Sequence, residues 1–262
     1  MTVIEALILG ILQGIAEFLP ISSSGHLILV KQLFGIDENV FTFTIVVHIG
    51  TLLPVFIIYF NRIKSLIKNP FQKLTYLLLV GTLPTVIIAI LFDNLIDTLF
   101  GGGFLSIGFL LTSLFLFIID SKQNGTKKVR NISYLDAILI GIMQAVAITP
   151  GISRSGSTIF GAVLRGLDKK SAANFSFLLS IPAISGATVL EIFNIIRGET
   201  YASFLISTPV IVGFFASMVT GYLAIKVMLK LIVLSKMKYF AYYLIVLSLM
   251  IMANQLFFNI FI

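Results

Sequence analysis

Six stretches of this chain, 41–60, 75–92, 99–119, 172–192, 204–225 and 239–261, are each apolar for long enough to cross a hydrocarbon core of about 30 Å at 1.5 Å per residue. A segment in lipid finds no partners for its backbone amides except its own, so each run is expected to be a helix. Composition agrees. Hydrophobic residues make up 58% and charged residues 11%, against roughly 25% charged in soluble domains, so the solvent for most of this chain is lipid. Segment 3–19 has the length of a secretory signal. It has no basic n-region and no small-residue cleavage site, and it carries Gln13 and Glu17, so it is expected to be mature structure. The absence of cysteine removes disulfides, thiolate nucleophiles and cysteine metal sites.

Two further regions, 3–34 and 134–166, are apolar but broken. Pro20-Ile21-Ser22-Ser23-Ser24-Gly25 interrupts the first, and Pro150-Gly151-Ile152-Ser153-Arg154-Ser155-Gly156 the second. A helix, a polar turn and a short return helix describe each, which is a re-entrant hairpin. Loops 61–74, 120–133, 165–171 and 226–238 hold 15 of the 18 basic residues, all on one side if the six spans alternate. Asp37, Glu38, Asp93, Asp97 and Glu199 fall on the opposite loops. The basic side is therefore expected to be cytoplasmic, and the net charge of +7 reads as membrane orientation, with no nucleic-acid partner.

Shifting the chain by 131 residues aligns 5–26 with 136–157, and nine of those 22 positions are identical, Gln13/Gln144, Ser22/Ser153, Ser24/Ser155 and Gly25/Gly156 among them. Each half is then one hairpin plus three spans. Three is odd, so the second half is inverted relative to the first. The expected fold is an all-α integral membrane protein with an inverted-topology repeat, one membrane domain over 1–262. Repeat one covers about 1–131 and repeat two about 132–262, each a re-entrant helical hairpin plus three transmembrane helices. The two turns are expected to meet near mid-membrane, where such repeats place their binding sites.

Polar residues at this depth need a purpose. Gln13 and Glu17 are four apart and share a helix face. An ionised carboxylate there costs roughly 2.5 kcal/mol or more, so Glu17 should face protein, water or a metal. Ser22, Ser23, Ser24 and Gly25 open a short helix running from about 25 to 34. Serines there can simply cap it, and the same geometry makes an anion site. His26 follows in its first turn, across a bend that brings it within reach of Glu17. Arg154, the one arginine in the apolar part of the chain, lies between Ser153 and Ser155 with Thr158 beyond. Its guanidinium fork suits a phosphate, and an ion pair with Glu17 is the plainer alternative. The two roles can alternate, paired when empty and clamping phosphate when loaded. His48 reads as a packing or cavity-lining residue. Glu191 and Arg197 are expected in water, and Pro54, Pro84 and Pro182 as kinks.

The run Gln13-Gly-Ile-Ala-Glu17-Phe-Leu-Pro-Ile-Ser-Ser-Ser-Gly-His26 resembles the (E/Q)xxxE and SSxGH signatures of bacterial undecaprenyl-diphosphate phosphatases, the bacitracin-resistance proteins. Pro150-Gly-Ile-Ser-Arg154-Ser-Gly-Ser-Thr158 is similar to their PGxSRSxxT motif, and the resemblance covers essentially the whole chain. It implies hydrolysis of undecaprenyl diphosphate to the monophosphate and inorganic phosphate, recycling the lipid carrier of wall synthesis and conferring bacitracin resistance. It also implies a divalent cation, Mg2+ or Ca2+, and a site in the plasma membrane opening outward. Gln13, at a position where the family pattern also accepts Glu, is a weaker metal ligand than Glu17. Type 2 phosphatidate phosphatases share the Ser-Arg piece but need a further histidine, absent after Arg154.

On this reading Glu17, His26, Ser23 and Arg154 are catalytic. Ser22, Ser24, Gly25, Ser153, Ser155 and Thr158 bind phosphate, and Glu17 holds the metal, with Gln13 as second candidate. The nucleophile is Ser23, water or His26. The partners are the lipid-linked diphosphate and membrane lipid, with a homodimer left open. The rival reading is a polyprenyl-phosphate transporter built on the same repeats, in which a Glu17/His26 acid–base pair has less use.

Overall fold

A computed structural model of the chain describes residues 1–36, 41–92, 95, 98–99, 103–197 and 207–258. Asp37, Glu38, Asp93, Asp97 and Glu199, assigned to outer loops, lie outside these residues, as do the ends of spans 204–225 and 239–261 and part of 99–119. Among the described residues there is no named strand. The helices are α1 (Val3–Phe18), α2 (Ser23–Leu33), α3 (Phe41–Ile58), α4 (Phe60–Lys68), α5 (Lys73–Leu91), α6 (Leu105–Ser121), α7 (Tyr134–Val146), α8 (Arg154–Leu164), α9 (Lys169–Ile196), α10 (Thr208–Val233) and α11 (Met237–Ala253). Four of these, α5, α9, α10 and the stretch Met237–Phe257, are long and apolar enough to cross a membrane, and α3 with α4 makes a fifth if that bent pair is one span. The chain is a multi-pass membrane protein.

Local chemistry sets the boundaries. Thr2 and Glu5 form a capping box at the start of α1, and Ser133 and Asp136 form another at the start of α7, 131 residues on. α1 stops at Phe18 because Leu19 precedes Pro20, which drives it to extended backbone (φ −72°, ψ 142°). Both broken regions are two helices joined by a short non-helical segment. α2 and α8 span positions related by the same shift of 131.

Two segments expected as loops are largely helical. Loop 61–74 is helical from Phe60 to Lys68, bent by 86° from α3, because Ile63 buries while Arg62, Lys64 and Lys68 face outward. Loop 226–238 is helical as far as Val233, because Met228 and Ile232 continue the buried stripe of α10. Pro54, Pro84 and Pro182 lie inside α3, α5 and α9.

Packing crosses between the halves. α1 lies along α10 and α7 along α5; α3 packs on α10 and α9 on α5; α6 packs on α11. A Cβ on Gly10 would enter the Gly213 backbone, and one on Gly141 the Gly81 backbone, so small residues set both close approaches. Beneath the site, Phe18 meets Phe177 edge to face at 5.6 Å, both fully buried. On the basic side three of the four Lys/Arg-rich segments touch. Asp136 receives Lys127 and Arg165, each at 2.8 Å, Lys169 Nζ reaches the Asp120 carbonyl and Ser235, and Asp120 caps α11 at Met237.

Candidate active site

The turn after α1 and the turn before α8 are in contact. Gly156 lies against the Pro20 ring, Ser155 Oγ donates to the Leu19 carbonyl at 3.5 Å, and Arg154 Nη2 donates to Glu17 Oε1 at 2.6 Å. Glu17 is buried and Arg154 nearly so, at 6% and 16% side-chain exposure. A buried carboxylate is tolerable only with partners, and this one has several. Ser23 Oγ donates to Oε2 at 2.7 Å, Gln13 Nε2 donates to the same oxygen at 3.1 Å, and His48 Nε2 stands 3.9 Å from it. The pairing of α1 with α8 therefore brings Glu17 and Arg154, 137 positions apart, into one group with the first serine of α2.

The remaining hydroxyls of the second turn are bonded to groups nearby. Ser153 caps α8 at Gly156 N (3.2 Å) and contacts Ser155 Oγ at 3.2 Å. Thr158 Oγ1 bonds to the carbonyls of Arg154 and Ser155 and to Ser176 Oγ at 2.6 Å. Thr112 on α6 holds this turn from behind, accepting from Ser153 N at 2.9 Å and donating to the Gly151 carbonyl at 3.0 Å. In the first turn Ser22 adopts φ 71°, unusual for a residue with a side chain, and caps α2 through Gly25 N at 3.3 Å. The Gly25 amide, read from sequence as a phosphate donor, is thus occupied. Ser24 Oγ lies 3.4 Å from Ser22 Oγ.

His26 does not join Glu17. Its Nδ1 lies 2.8 Å from the Ser22 carbonyl, which can only accept, so Nδ1 carries the proton. Nε2 then accepts from the Tyr243 hydroxyl at 2.7 Å, and the ring sits edge-on to Phe109 and stacked on Tyr243. The imidazole beside the carboxylate is His48 instead, with Nδ1 2.7 Å from the Thr44 carbonyl. Sequence reasoning missed Tyr243, Ser176 and Thr112 and read His48 as a packing or cavity-lining residue. Thr112 and His48 carried a signal as polar residues within apolar spans; Tyr243 carried none, since an aromatic in a span usually packs.

Among the described residues no three His, Cys, Asp or Glu side chains gather as a metal cluster. Gln13 Oε1, fully buried beside Glu17, has no hydrogen-bond partner.

The sequence model of the family described as Bacitracin resistance protein BacA matches residues 6–250. The chain belongs to this family. Among its relatives is a protein of Carboxydothermus hydrogenoformans named Undecaprenyl-diphosphatase, 45% identical over 252 residues, covering 96% of this chain and 97% of the relative. One of Bacillus thuringiensis, named Undecaprenyl-diphosphatase 4, is 47% identical over 254 residues with the same coverage. A third, an Undecaprenyl-diphosphatase of Alkaliphilus metalliredigens, is 38% identical over 263 residues, covering 93% and 95%. For a BacA family chain, the joined turns carry both motifs on which the resemblance rested.

Proposed function

We infer that this chain hydrolyses undecaprenyl diphosphate to undecaprenyl phosphate and inorganic phosphate, returning the lipid carrier to cell-wall synthesis and conferring bacitracin resistance. Family membership and the relatives' names support the reaction and disfavour a transporter. The observation that carries the site is the single carboxylate of Glu17 shared by Arg154 and Ser23, at 2.6 and 2.7 Å. The arrangement of helices is read as an inverted repeat with two re-entrant hairpins. Matching element positions at a shift of 131 and the exchanged packing of α1 on α10 and α7 on α5 support this. On that topology the site opens to the outer face of the bacterial plasma membrane, opposite the tied basic loops.

The diphosphate displaces Glu17 from Arg154, since the guanidinium holds Glu17 by one Nη2 bond and can bind two phosphate oxygens in its fork. Glu17, released from Arg154, takes the Ser23 proton; Ser23 Oγ attacks the terminal phosphorus and the bridging P–O bond breaks, releasing undecaprenyl phosphate. Water then attacks the phosphoserine phosphorus, passing a proton to a phosphoryl oxygen, while Glu17 returns its proton to Ser23 Oγ and inorganic phosphate leaves. Arg154, Ser24, Ser153 and Ser155 hold the charge of the loose transition state, and His26, protonated at Nε2 once Tyr243 yields, donates to a phosphoryl oxygen. The Glu17 carboxylate and the orphaned Gln13 carbonyl would hold a divalent cation, and Mg2+ or Ca2+ there would offset the charge of the diphosphate.

Phosphate release from farnesyl diphosphate by purified protein tests this. Glu17→Gln and Arg154→Lys are expected to cut turnover at least a hundredfold while folding is retained; Lys keeps a charge beside Glu17, avoiding the roughly 3–5 kcal/mol cost of an unpaired buried ion. Near-normal release by Arg154→Lys removes the clamp, and substantial turnover by Ser23→Ala transfers attack to water.

A further inference from the structure

His48 Nε2 stands 3.9 Å from Glu17 Oε2, beyond hydrogen-bond reach, while its Nδ1 donates to the Thr44 carbonyl at 2.7 Å. Two ligands of one metal ion, each about 2.0–2.4 Å from it, stand roughly 3–4 Å apart, which is this spacing. On the same carboxylate oxygen, Gln13 has its amide group at 3.1 Å and a fully buried carbonyl with no partner. Turning that amide end for end exchanges nitrogen for oxygen and converts the surplus acceptor into a third donor.

We propose that His48 Nε2, Glu17 Oε2 and Gln13 Oε1 form a three-donor site for the divalent cation that accompanies the diphosphate. This rests on the cation reading above and adds to it a nitrogen ligand from α3. The nitrogen compensates for an amide where a carboxylate is the alternative, and it favours Mn2+ over Ca2+, which prefers all-oxygen sites. Charge sets the order of binding. Glu17 and Arg154 neutralise each other in the substrate-free protein, so the cation binds weakly until a diphosphate draws Arg154 away.

The test is Mn2+ binding to purified, detergent-solubilised protein with methylenediphosphonate, a diphosphate that is not hydrolysed, followed by pulsed electron paramagnetic resonance. The expected result is an imidazole nitrogen coupling on bound Mn2+ that disappears in His48→Gln. Affinity should weaken about tenfold in that variant. Arg154→Gln is expected to raise Mn2+ affinity without methylenediphosphonate, because it removes the cation paired with Glu17 and leaves an amide that can donate to it. Bound Mn2+ that depends on Glu17 but shows no nitrogen coupling overturns the His48 ligand and leaves the cation reading standing. Absence of any Mn2+ binding that Glu17→Gln abolishes overturns both. Thermal unfolding of each variant separates ligand loss from misfolding.

Discussion

Glu17 is surrounded by unlike groups: a cation, a hydroxyl, an amide and an imidazole, each from a different turn or helix. A buried carboxylate so placed is costly to ionise in lipid and cheap once paired, so its environment selects the charged form that a base requires. His26 is held differently, between a backbone carbonyl and a phenol, and its reactive nitrogen is covered by Tyr243. Tyr243→Phe keeps the stacked ring and removes that donor. Turnover is expected to fall about tenfold with KM unchanged and with the pH dependence of kcat displaced. That loss is smaller than the hundredfold or more for removing a proton-transfer group. Unaltered kcat and pH profile would reduce Tyr243 to packing.

At the scale of elements, the 131-residue shift relates helices but not chemistry. It places Ile148 at the position of Glu17, Ser157 at that of His26 and Arg154 at that of Ser23. The first hairpin keeps the acid, the second the guanidinium, and neither is complete alone. The strap that seats α8 and α9 is polar. Lys127 pairs with Leu167 as an isolated bridge, Asp168 caps α9 through Ser171 N at 3.0 Å, and Lys128 stands 3.3 Å from Asp168. Burial works to raise the Asp168 pKa, but the Ser171 and Lys128 contacts prevail and hold it below the usual carboxylate range. A folded pKa below the unfolded one means the contribution is whole above about pH 4, the unfolded carboxylate value, and lost as pH falls through the folded value. Asp168→Asn should lower Tm at neutral pH and flatten the loss of Tm on acidification; an identical acid limb in both proteins would deny Asp168 this role.

For the whole molecule, orientation is open to a direct experiment because the chain has no cysteine. Ser24→Cys is expected to react with a membrane-impermeant maleimide added outside intact cells, and Lys64→Cys only after permeabilisation. The opposite pattern would invert the proposed topology. Spans 75–92 and 172–192 were legible because length and hydropathy suffice in lipid, and both broken regions because Pro20 and Pro150-Gly151 stop helices locally. Loops 61–74 and 226–238 were misread because charge hid an amphipathic stripe whose buried side only α3 and α10 reveal.

Residue order alone determined that this chain is helical in lipid, where its broken segments fall, and that Glu17, Ser23 and Arg154 need partners, since these follow from local propensity and the cost of burying charge. Only tertiary packing decided which partners they have. Sequence proximity assigned His26 to Glu17, whereas the stacking of α1 on α8 and α3 brought Arg154 and His48 to the carboxylate, and α11 took His26 away. Contacts between distant segments are selected by how whole helices fit, a property no short stretch of sequence contains.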